Sequence, residues 1–456
     1  MKKRLLALSM ASVLALSLTG CGNGSSSPET LSQNAAEENG KTEGAEGGVI
    51  EENSATEAAQ GEKITLSLCW WGNQTRNDVT KKAADLYMSL NPNVEIKVEF
   101  TDWPGYWDKL STMAAGGNLP DIIQQDYSYI SQYQKSGQLA DLTEFIDSGI
   151  IKTDKIPESI IESGSIDGKC YAISLGSNAP TMIYDKGIVE RAGVTIPEEM
   201  TVDELYDICQ QIYDKTGVAS FYDSGLAMMQ IVSRERGGHL FDQLTTGDIS
   251  AIKKHFELVE RFSKADFFIS PDMLAEKGAN VVETRPIIDE TTWNDFSFSN
   301  LFNTFSTAAG REMGMAMYPA TGGSGTEAMF LKPGMFFSIA ETSQHKEEAA
   351  KFIDWFTNSV ECNEVLMAER GVPINTEVAQ ALKPKLDPMS QEVFDYIAKV
   401  GEKATPIDPP DPAGKGEIDT LRQKLTDDIH YGDITADEAA ETFLTEAGKI
   451  MQEAAK

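Results

Sequence analysis

The chain has 456 residues, and 39 lysines and arginines stand against 71 aspartates and glutamates, which gives a formal charge of −32 at pH 7. A protein this acidic repels phosphate backbones and anionic headgroups, so the composition argues against nucleic acid as a partner. The residues beyond the first sixty exceed what one hydrophobic core usually serves, so two lobes are expected.

The first twenty residues have the pattern of a secretory signal. A basic start at residues 2–4 precedes an apolar run over residues 5–18, which is too short to cross a bilayer comfortably. The tetrapeptide Leu-Thr-Gly-Cys that ends at Cys21 resembles a bacterial lipobox. We therefore expect residues 1–20 to be a lipoprotein signal peptide and Cys21 to be lipidated; the alternative is an ordinary signal peptide with an incidental cysteine.

Residues 21–62 are acidic and rich in Glu, Ala, Gly, Ser and Asn. Such a segment buries too little apolar surface to offset its chain entropy, so it is expected to be a disordered tether. No later segment has the length and apolarity of a membrane span. The sequence thus predicts an extracytoplasmic protein that is held at the outer face of the cell membrane by its lipid anchor only.

The cysteines and histidines show no metal-binding spacing. Four cysteines follow Cys21, and the chain has four histidines. Cys209 lies on an apolar stripe with Leu205 and Ile212, so we expect it in the core. No metal and no cofactor is predicted.

From Lys63 the pattern becomes that of an α/β fold. Residues 64–68 alternate as a strand, residues 79–90 repeat at helical spacing, and residues 94–100 alternate again. A strand, a helix and a second strand form a βαβ unit, so the sheet should be largely parallel. Capping boxes at Thr201 and Thr435 open later helices. The segment 405–416, rich in proline and glycine, is expected to be an irregular loop.

Several motifs then carry a resemblance. Residues 90–98 end a helix and begin a strand, residues 114–122 form a glycine-rich turn ending in Pro-Asp-Ile, residues 166–173 read Ile-Asp-Gly-Lys-Cys-Tyr-Ala-Ile, and residues 338–356 lead into a helix. In their order and spacing they resemble the family 1 extracellular solute-binding proteins, which are maltose-binding-protein-like. The resemblance covers essentially the whole folded part, although residues 281–300 depart from the family pattern.

The resemblance implies a two-lobed periplasmic-binding-protein (Venus-flytrap) fold, with a hinge crossed near residues 174–179, 331–337 and 385–391. The first lobe would then comprise residues 63–177 plus 335–387, and the second lobe residues 178–334 plus 388–456. It also implies a monomer that delivers a carbohydrate, expected to be an oligosaccharide, to the permease subunits of an ABC transporter.

A sugar has apolar C–H faces and a rim of hydroxyls, so its site needs aromatic surfaces and hydrogen-bonding side chains at the carboxyl ends of strands. Of the adjacent Trp70 and Trp71, one should point outward, and we expect Trp71 to stack on the ligand. The alternative is that both merely pack. Asn73 and Arg76 would supply hydrogen bonds.

Four further residues are predicted to contact the ligand. Asp126 follows a predicted strand, where its carboxylate would accept sugar hydroxyls; the alternative is a helix cap. Asn178 lies at the first hinge crossing, and Trp293 and Asn300 lie in the divergent segment of the second lobe, which is expected to be a loop, from which they would close over the sugar.

Two other functions remain open at this point. A secreted carbohydrate-active enzyme would need paired carboxylates, but the chain has many acids at no diagnostic spacing and no nucleophile elbow or zinc motif. A binding protein for a non-sugar solute is the second alternative. The sequence favours a carbohydrate-binding protein without enzymatic activity.

Overall fold

The computed structural model describes residues 63–223, 225–277, 282–322, 328–412 and 414–454. The predicted signal peptide, the lipidated Cys21 and the predicted tether lie outside these residues.

The strands are β1 (Ile64–Trp71), β2 (Val94–Thr101), β3 (Ile122–Gln125), β4 (Ser165–Ile166), β5 (Lys169–Cys170), β6 (Ile173–Ser174), β7 (Ser177–Asn178), β8 (Pro180–Asp185), β9 (Asn294–Phe298), β10 (Met313–Ala316), β11 (Lys332–Pro333) and β12 (Phe336–Ile339). The α-helices are α1 (Gln74–Leu90), α2 (Trp103–Ala115), α3 (Ile130–Lys135), α4 (Thr143–Asp147), α5 (Glu158–Ser163), α6 (Lys186–Ala192), α7 (Val202–Thr216), α8 (Leu226–Arg234), α9 (Leu240–Thr246), α10 (Ser250–Ser263), α11 (Pro271–Lys277), α12 (Phe302–Ala309), α13 (Lys346–Asn358), α14 (Val360–Leu366), α15 (Thr376–Leu382), α16 (Pro388–Gly401), α17 (Lys415–Tyr431) and α18 (Ala436–Ala454). Short 3-10 helices span Val282–Thr284, Ser299–Leu301 and Lys383–Lys385.

A five-stranded sheet contains the predicted βαβ unit. Its order is β2-β1-β3-β12-β6, and β1 runs parallel to both β2 and β3, as predicted. The added strand β12 is antiparallel to both of its neighbours. The parallel pairs bring the carboxyl ends of β1, β2 and β3 to one edge of this sheet, where ligand groups are expected in α/β proteins.

A three-stranded sheet of order β10-β8-β9 is antiparallel throughout. The prediction of a largely parallel sheet therefore holds only for β1, β2 and β3. Strands β7 and β11 pair with each other and lie, along the chain, between the strands of the two sheets. The chain thus passes from one sheet to the other at β7 and returns at β11.

Two glycines allow a close backbone approach at these passages. A Cβ atom on Gly176 would lie 2.3 Å from the carbonyl oxygen of Arg370, and one on Gly334 would lie 2.5 Å from the same oxygen. Because any larger residue would overlap this carbonyl, the sequence needs glycine on both passages.

A second core is formed by five helices, α8, α9, α10, α17 and α18, around residues such as Leu240, Phe256 and Phe443.

Both predicted capping boxes are present. The hydroxyls of Thr201 and Thr435 each accept a hydrogen bond from the backbone N–H group three residues later in the chain. Residues 405–412 contain no helix or strand, as predicted, but α17 begins at Lys415, inside the predicted loop of residues 405–416. Within the described segments no helix has the length and apolarity to cross a membrane.

Candidate ligand-binding site

Two cavities lie between the sheets. The first, here called the Tyr127 cavity, has a volume of about 230 Å³, and its lining includes Tyr127, Gln230, Phe298, Lys332, Asp408 and Asp411. Tyr127 follows β3 of the five-stranded sheet, whereas Phe298 ends β9 of the three-stranded sheet. This cavity therefore has walls from both sheets.

The second, here called the Asn178 cavity, has a volume of about 190 Å³, and its lining includes Asn178, Ser299, Asn300, Asn303 and Glu369. It adjoins the Tyr127 cavity in two places. Phe298 lines the first cavity and Ser299 the second, and Lys332 of the first pairs directly with Asn178 of the second across the β7–β11 ladder. The two cavities are thus neighbours, and both are lined largely by polar side chains.

The Asn178 cavity has a charged wall. The Arg76 Nε donates to Glu369 Oε2 over 2.8 Å, and both side chains are largely buried. Met367 and Ala368, just before Glu369, have φ angles of 49° and 58°. Two successive left-handed residues that are not glycine are costly, so the surrounding contacts fix this segment. Arg370 Nη1 lies 3.7 Å from Glu369 Oε2, and burial lowers the pKa of this arginine to about 9.

Asp408 joins elements from both sides of the Tyr127 cavity. Arg234 Nη1 donates to its Oδ1, and His239 Nδ1 lies 3.0 Å from the same oxygen. The Tyr127 hydroxyl donates to the Asp408 carbonyl. The second carboxylate oxygen, Oδ2, is buried and has no hydrogen-bond partner among the described residues. Asp408 therefore lines the cavity and keeps one buried carboxylate oxygen unsatisfied among the described residues.

The Tyr127 cavity also has an aromatic wall. Phe298 is half-buried, and Lys332 Nζ lies 4.9 Å from the centre of its ring. Burial raises the pKa of Asp411, which shares this cavity. An aromatic face, an ammonium group, a carboxylate and amides together can contact a ligand that has apolar faces and hydroxyl groups.

The prediction that Trp71 points outward is wrong in this structure. Trp70 is fully buried and donates to Asn77 Oδ1 over 2.9 Å, while Trp71 packs against Trp103 and Tyr106 with only 7% of its surface exposed. Helix α1 covers Trp70 on one face of the sheet, and α2 covers Trp71 on the other. The exposed ring of this aromatic cluster is that of Trp103, at 41%.

Trp293 also has a core position instead of the predicted contact with a ligand. Its side chain has no exposed surface, and its Nε1 donates to Ser220 Oγ over 2.6 Å. The physical reason is that the divergent segment of the sequence contains β9, an ordered strand whose neighbours cover the ring. A loop had been the expectation.

Of the other predicted residues, some line or adjoin the Asn178 cavity, and the rest make local hydrogen bonds at a helix start or in a turn. Asn178 and Asn300 both line the Asn178 cavity, and Arg76 binds Glu369 in its wall. Asn73 is exposed and caps α1, since its Oδ1 accepts from the Arg76 backbone. Asp126 directly precedes Tyr127, and its Oδ1 accepts from the Ser128 backbone in a turn.

Sequence reasoning missed Tyr127, Phe298, Lys332, Glu369 and Asp408. Tyr127 closely follows β3, and Phe298 ends β9. Ligand-binding residues are common at such strand ends, so these two positions could have been predicted. Nothing in the local sequence marks Asp408 or Glu369, which reach the site from distant segments.

Comparison with known proteins agrees with this arrangement. A family model described as bacterial extracellular solute-binding protein matches residues 82–392. The maltotriose-binding protein of Pyrococcus abyssi is 25% identical over 337 residues, which are 70% of this chain and 69% of that protein. A maltooligosaccharide ABC transporter solute-binding lipoprotein of Streptococcus pneumoniae is 22% identical over 325 residues, which are 66% of this chain and 70% of that protein.

A solved structure shows the same fold. An extracellular solute-binding protein family 1 member from Alicyclobacillus acidocaldarius matches with a TM-score of 0.78 at 27% identity, over 86% of this chain and 99% of that chain. The α/β periplasmic solute-binding fold predicted from the sequence is thereby confirmed.

The chain belongs to the bacterial extracellular solute-binding protein family. The resemblance noted in the sequence is confirmed. Because this family binds solutes and is not enzymatic, the prediction that the chain is not an enzyme is confirmed as well.

Proposed function

We propose that this protein is a lipid-anchored, extracytoplasmic receptor that captures an oligosaccharide and delivers it to the permease subunits of an ABC importer. The observation that carries the proposal is the pair of neighbouring cavities, the Tyr127 cavity and the Asn178 cavity, whose linings combine polar side chains with the ring of Phe298. Relatives named for maltotriose and maltooligosaccharide binding support the same class of solute.

The chemistry of the site suits a neutral sugar. Asn178 and Asn300 have amides that both donate and accept, as hydroxyls do, and Asp408 keeps one carboxylate oxygen unsatisfied among the described residues. Phe298 gives a flat apolar surface on which the C–H face of a sugar ring packs. A site of this kind binds hydroxyl-rich solutes without requiring a charge on the ligand.

Ligand capture would be coupled to closure of two lobes. The proposed lobes are residues 63–177 plus 335–387 and residues 178–334 plus 388–456. A ligand that contacts both lobes only when they are closed shifts the population toward the closed form, and the permease would recognise that form. Nucleotide hydrolysis would take place on other subunits of the importer.

Anchoring is proposed to occur through Cys21. The lipobox ending at this residue and the lipoprotein relative from Streptococcus pneumoniae support it. Replacement of Cys21 by alanine should release the protein from membranes, and fractionation followed by immunoblotting measures this. A variant that stays membrane-bound through a high-salt wash would contradict the anchor.

A sugar panel tests the binding function. Purified residues 63–456 should show a raised melting temperature with at least one of maltotriose, cellotriose, arabinotriose and diacetylchitobiose, because a ligand that binds only the folded state stabilises it. Small-angle scattering should then show a smaller radius of gyration. If none of these sugars binds and an amino acid or peptide does, the carbohydrate assignment is wrong.

Variants then localise the site. Asn300 is exposed, so Asn300→Ala should fold normally but bind the best sugar about 10- to 100-fold more weakly, because a buried hydroxyl loses its partner. Asn118→Ala, an exposed position outside both cavities, is the matched control. Equal affinities for the two variants would place the ligand elsewhere.

A further inference from the structure

A buried ion pair joins two segments that line the Tyr127 cavity. Arg422 of α17 donates from its Nη1 to Asp223 Oδ2 over 2.7 Å, and both side chains are almost wholly buried. Removing two charges from water costs about as much free energy as their attraction returns, so a pair of this kind adds little to stability. What it can contribute instead is a fixed position for the two segments that it joins.

Asp223 holds the first of these segments. Its other oxygen, Oδ1, accepts a hydrogen bond from the Gly225 N–H over 2.9 Å. Gly225 directly precedes α8 and has φ 69° and ψ −148°, a backbone conformation that glycine alone adopts readily. Gly225, Leu226 and Ala227 all line the Tyr127 cavity. The Asp223 carboxylate thus fixes the backbone at the start of α8, where this helix meets the cavity.

Arg422 holds the second segment. Its Nε donates to Asp419 Oδ1 over 3.0 Å, about one turn earlier in α17. Asp419 and Lys415 line the Tyr127 cavity. Because the planar guanidinium group has its donors in a fixed fork, one side chain binds Asp223 and Asp419 at once. Arg422 therefore links the cavity-lining turns of α17 to the start of α8.

We infer that Arg422 is a positioning residue for solute binding, which fixes the walls that α8 and α17 contribute to the Tyr127 cavity by binding Asp223 and Asp419. Arg422 itself is buried, and its effect on affinity is exerted through these two carboxylates. This rests on the proposed function and adds to it a residue that controls binding from behind the cavity wall.

Replacement of both members of the ion pair tests this. Asp223→Asn combined with Arg422→Gln leaves no unpaired charge in the interior, so this double variant should fold, as circular dichroism would show. Isothermal titration with maltotriose, cellotriose, arabinotriose and diacetylchitobiose should show that the sugar with the highest affinity for the native protein binds the double variant about 10-fold more weakly. Should the double variant not fold, Arg422→Lys keeps a positive charge beside Asp223 but has no fork, and it should weaken binding about 5-fold.

The matched control removes a more exposed ion pair from the same helix. Lys424 Nζ and Asp428 Oδ2 form an i,i+4 pair on α17, and neither residue lines the Tyr127 cavity. Lys424→Gln combined with Asp428→Asn should therefore change the affinity by less than about 2-fold.

A double-mutant cycle distinguishes positioning from a general loss of stability. Asp419→Asn alone should weaken binding about 5-fold, because it releases the wall that Arg422 holds. In the Asp223→Asn, Arg422→Gln background the same substitution should weaken binding by less than about 2-fold, because that wall is already released. A loss of affinity that came only from lower stability would leave the effect of Asp419→Asn the same in both backgrounds.

The possible results separate this inference from the proposed function. If the native protein binds one of the four sugars and the ion-pair variant binds it equally tightly, the inference alone is wrong. The inference is also overturned if Asp419→Asn has the same effect with and without the ion pair. If none of the four sugars binds to the native protein, both the proposed function and the inference are wrong.

Discussion

The folded protein should lose stability as the pH falls from about 6.5 to about 4, and His255 should be a main cause. This residue lies in α10 with no exposed surface, and neither ring nitrogen has a hydrogen-bond partner among the described residues. Burial lowers the pKa of His255 from 6.5 to about 4; Asp223 opposes this effect and Arg422 adds to it. Burial also lowers the pKa of the nearby His430.

The sign and the size follow from these values. The folded pKa lies below the unfolded one, so between pH 6.5 and pH 4 the unfolded chain binds the extra proton. The stability that the neutral, buried His255 contributes to the folded protein is therefore fully present above pH 6.5 and is lost as the pH falls toward 4. At about 1.4 kcal/mol per pH unit the loss is about 3 kcal/mol, a large part of the 5–15 kcal/mol typical of a folded protein.

Urea unfolding followed by circular dichroism at pH 7.5, 6, 5 and 4.5 measures this effect. His255→Leu should remove most of the 3 kcal/mol loss, and the same substitution at the exposed His345 is the control for exchanging a histidine for leucine. Other groups, such as Asp295, whose pKa is raised to about 6 by burial, titrate alike in both proteins and cancel in the comparison. The reasoning is refuted if His255→Leu and the native protein lose the same free energy of unfolding over this range.

Three further outcomes can be measured on the purified domain. Trp71→Ala should lower the free energy of unfolding by about 3–5 kcal/mol, because the ring is core; a loss below 1 kcal/mol would mean that the ring is not packed as described. Gly176→Ala should cost about 1–3 kcal/mol through overlap with the Arg370 carbonyl, whereas Gly416→Ala, which meets no atom within 4 Å, should not destabilise the protein in the same unfolding assay. Cys209, with a pKa raised to about 12 by burial, should resist iodoacetamide at pH 8 in the native protein and react once it is unfolded, as mass spectrometry would detect; rapid native labelling would contradict its burial.

The sequence was informative where a local pattern determines structure. Alternation over residues 64–68 and helical spacing over residues 79–90 identified β1 and α1, and the capping box at Thr201 identified the start of α7. These predictions depend only on neighbours a few residues apart. The antiparallel three-stranded sheet was not predicted, because β9 is divergent in sequence and pairs with β8, more than a hundred residues away.

Side-chain direction was the main source of error in the site. Alternation along a strand requires Trp70 and Trp71 to point to opposite faces, and it was reasonable to expect one of them to be exposed. The five-stranded sheet is covered on both faces, by Asn77 of α1 beneath Trp70 and by Tyr106 of α2 beneath Trp71. Which helix covers a strand is determined by tertiary packing and not by the local sequence. Trp71 was therefore placed at the correct edge of the sheet but predicted to contact a ligand instead of the core.

The site also shows why its residues could not be assembled from motifs. Tyr127, Phe298, Lys332 and Asp408 come from four distant segments and meet only after both sheets have formed. The Asp408 carboxylate is held by Arg234, which binds its Oδ1, while the buried Oδ2 has no hydrogen-bond partner among the described residues. Because Arg234 and Asp408 are 174 positions apart, their contact leaves no signature in the local sequence. For the same reason, exchanging loop 405–412 between related receptors should change which oligosaccharides they bind more than it changes their fold.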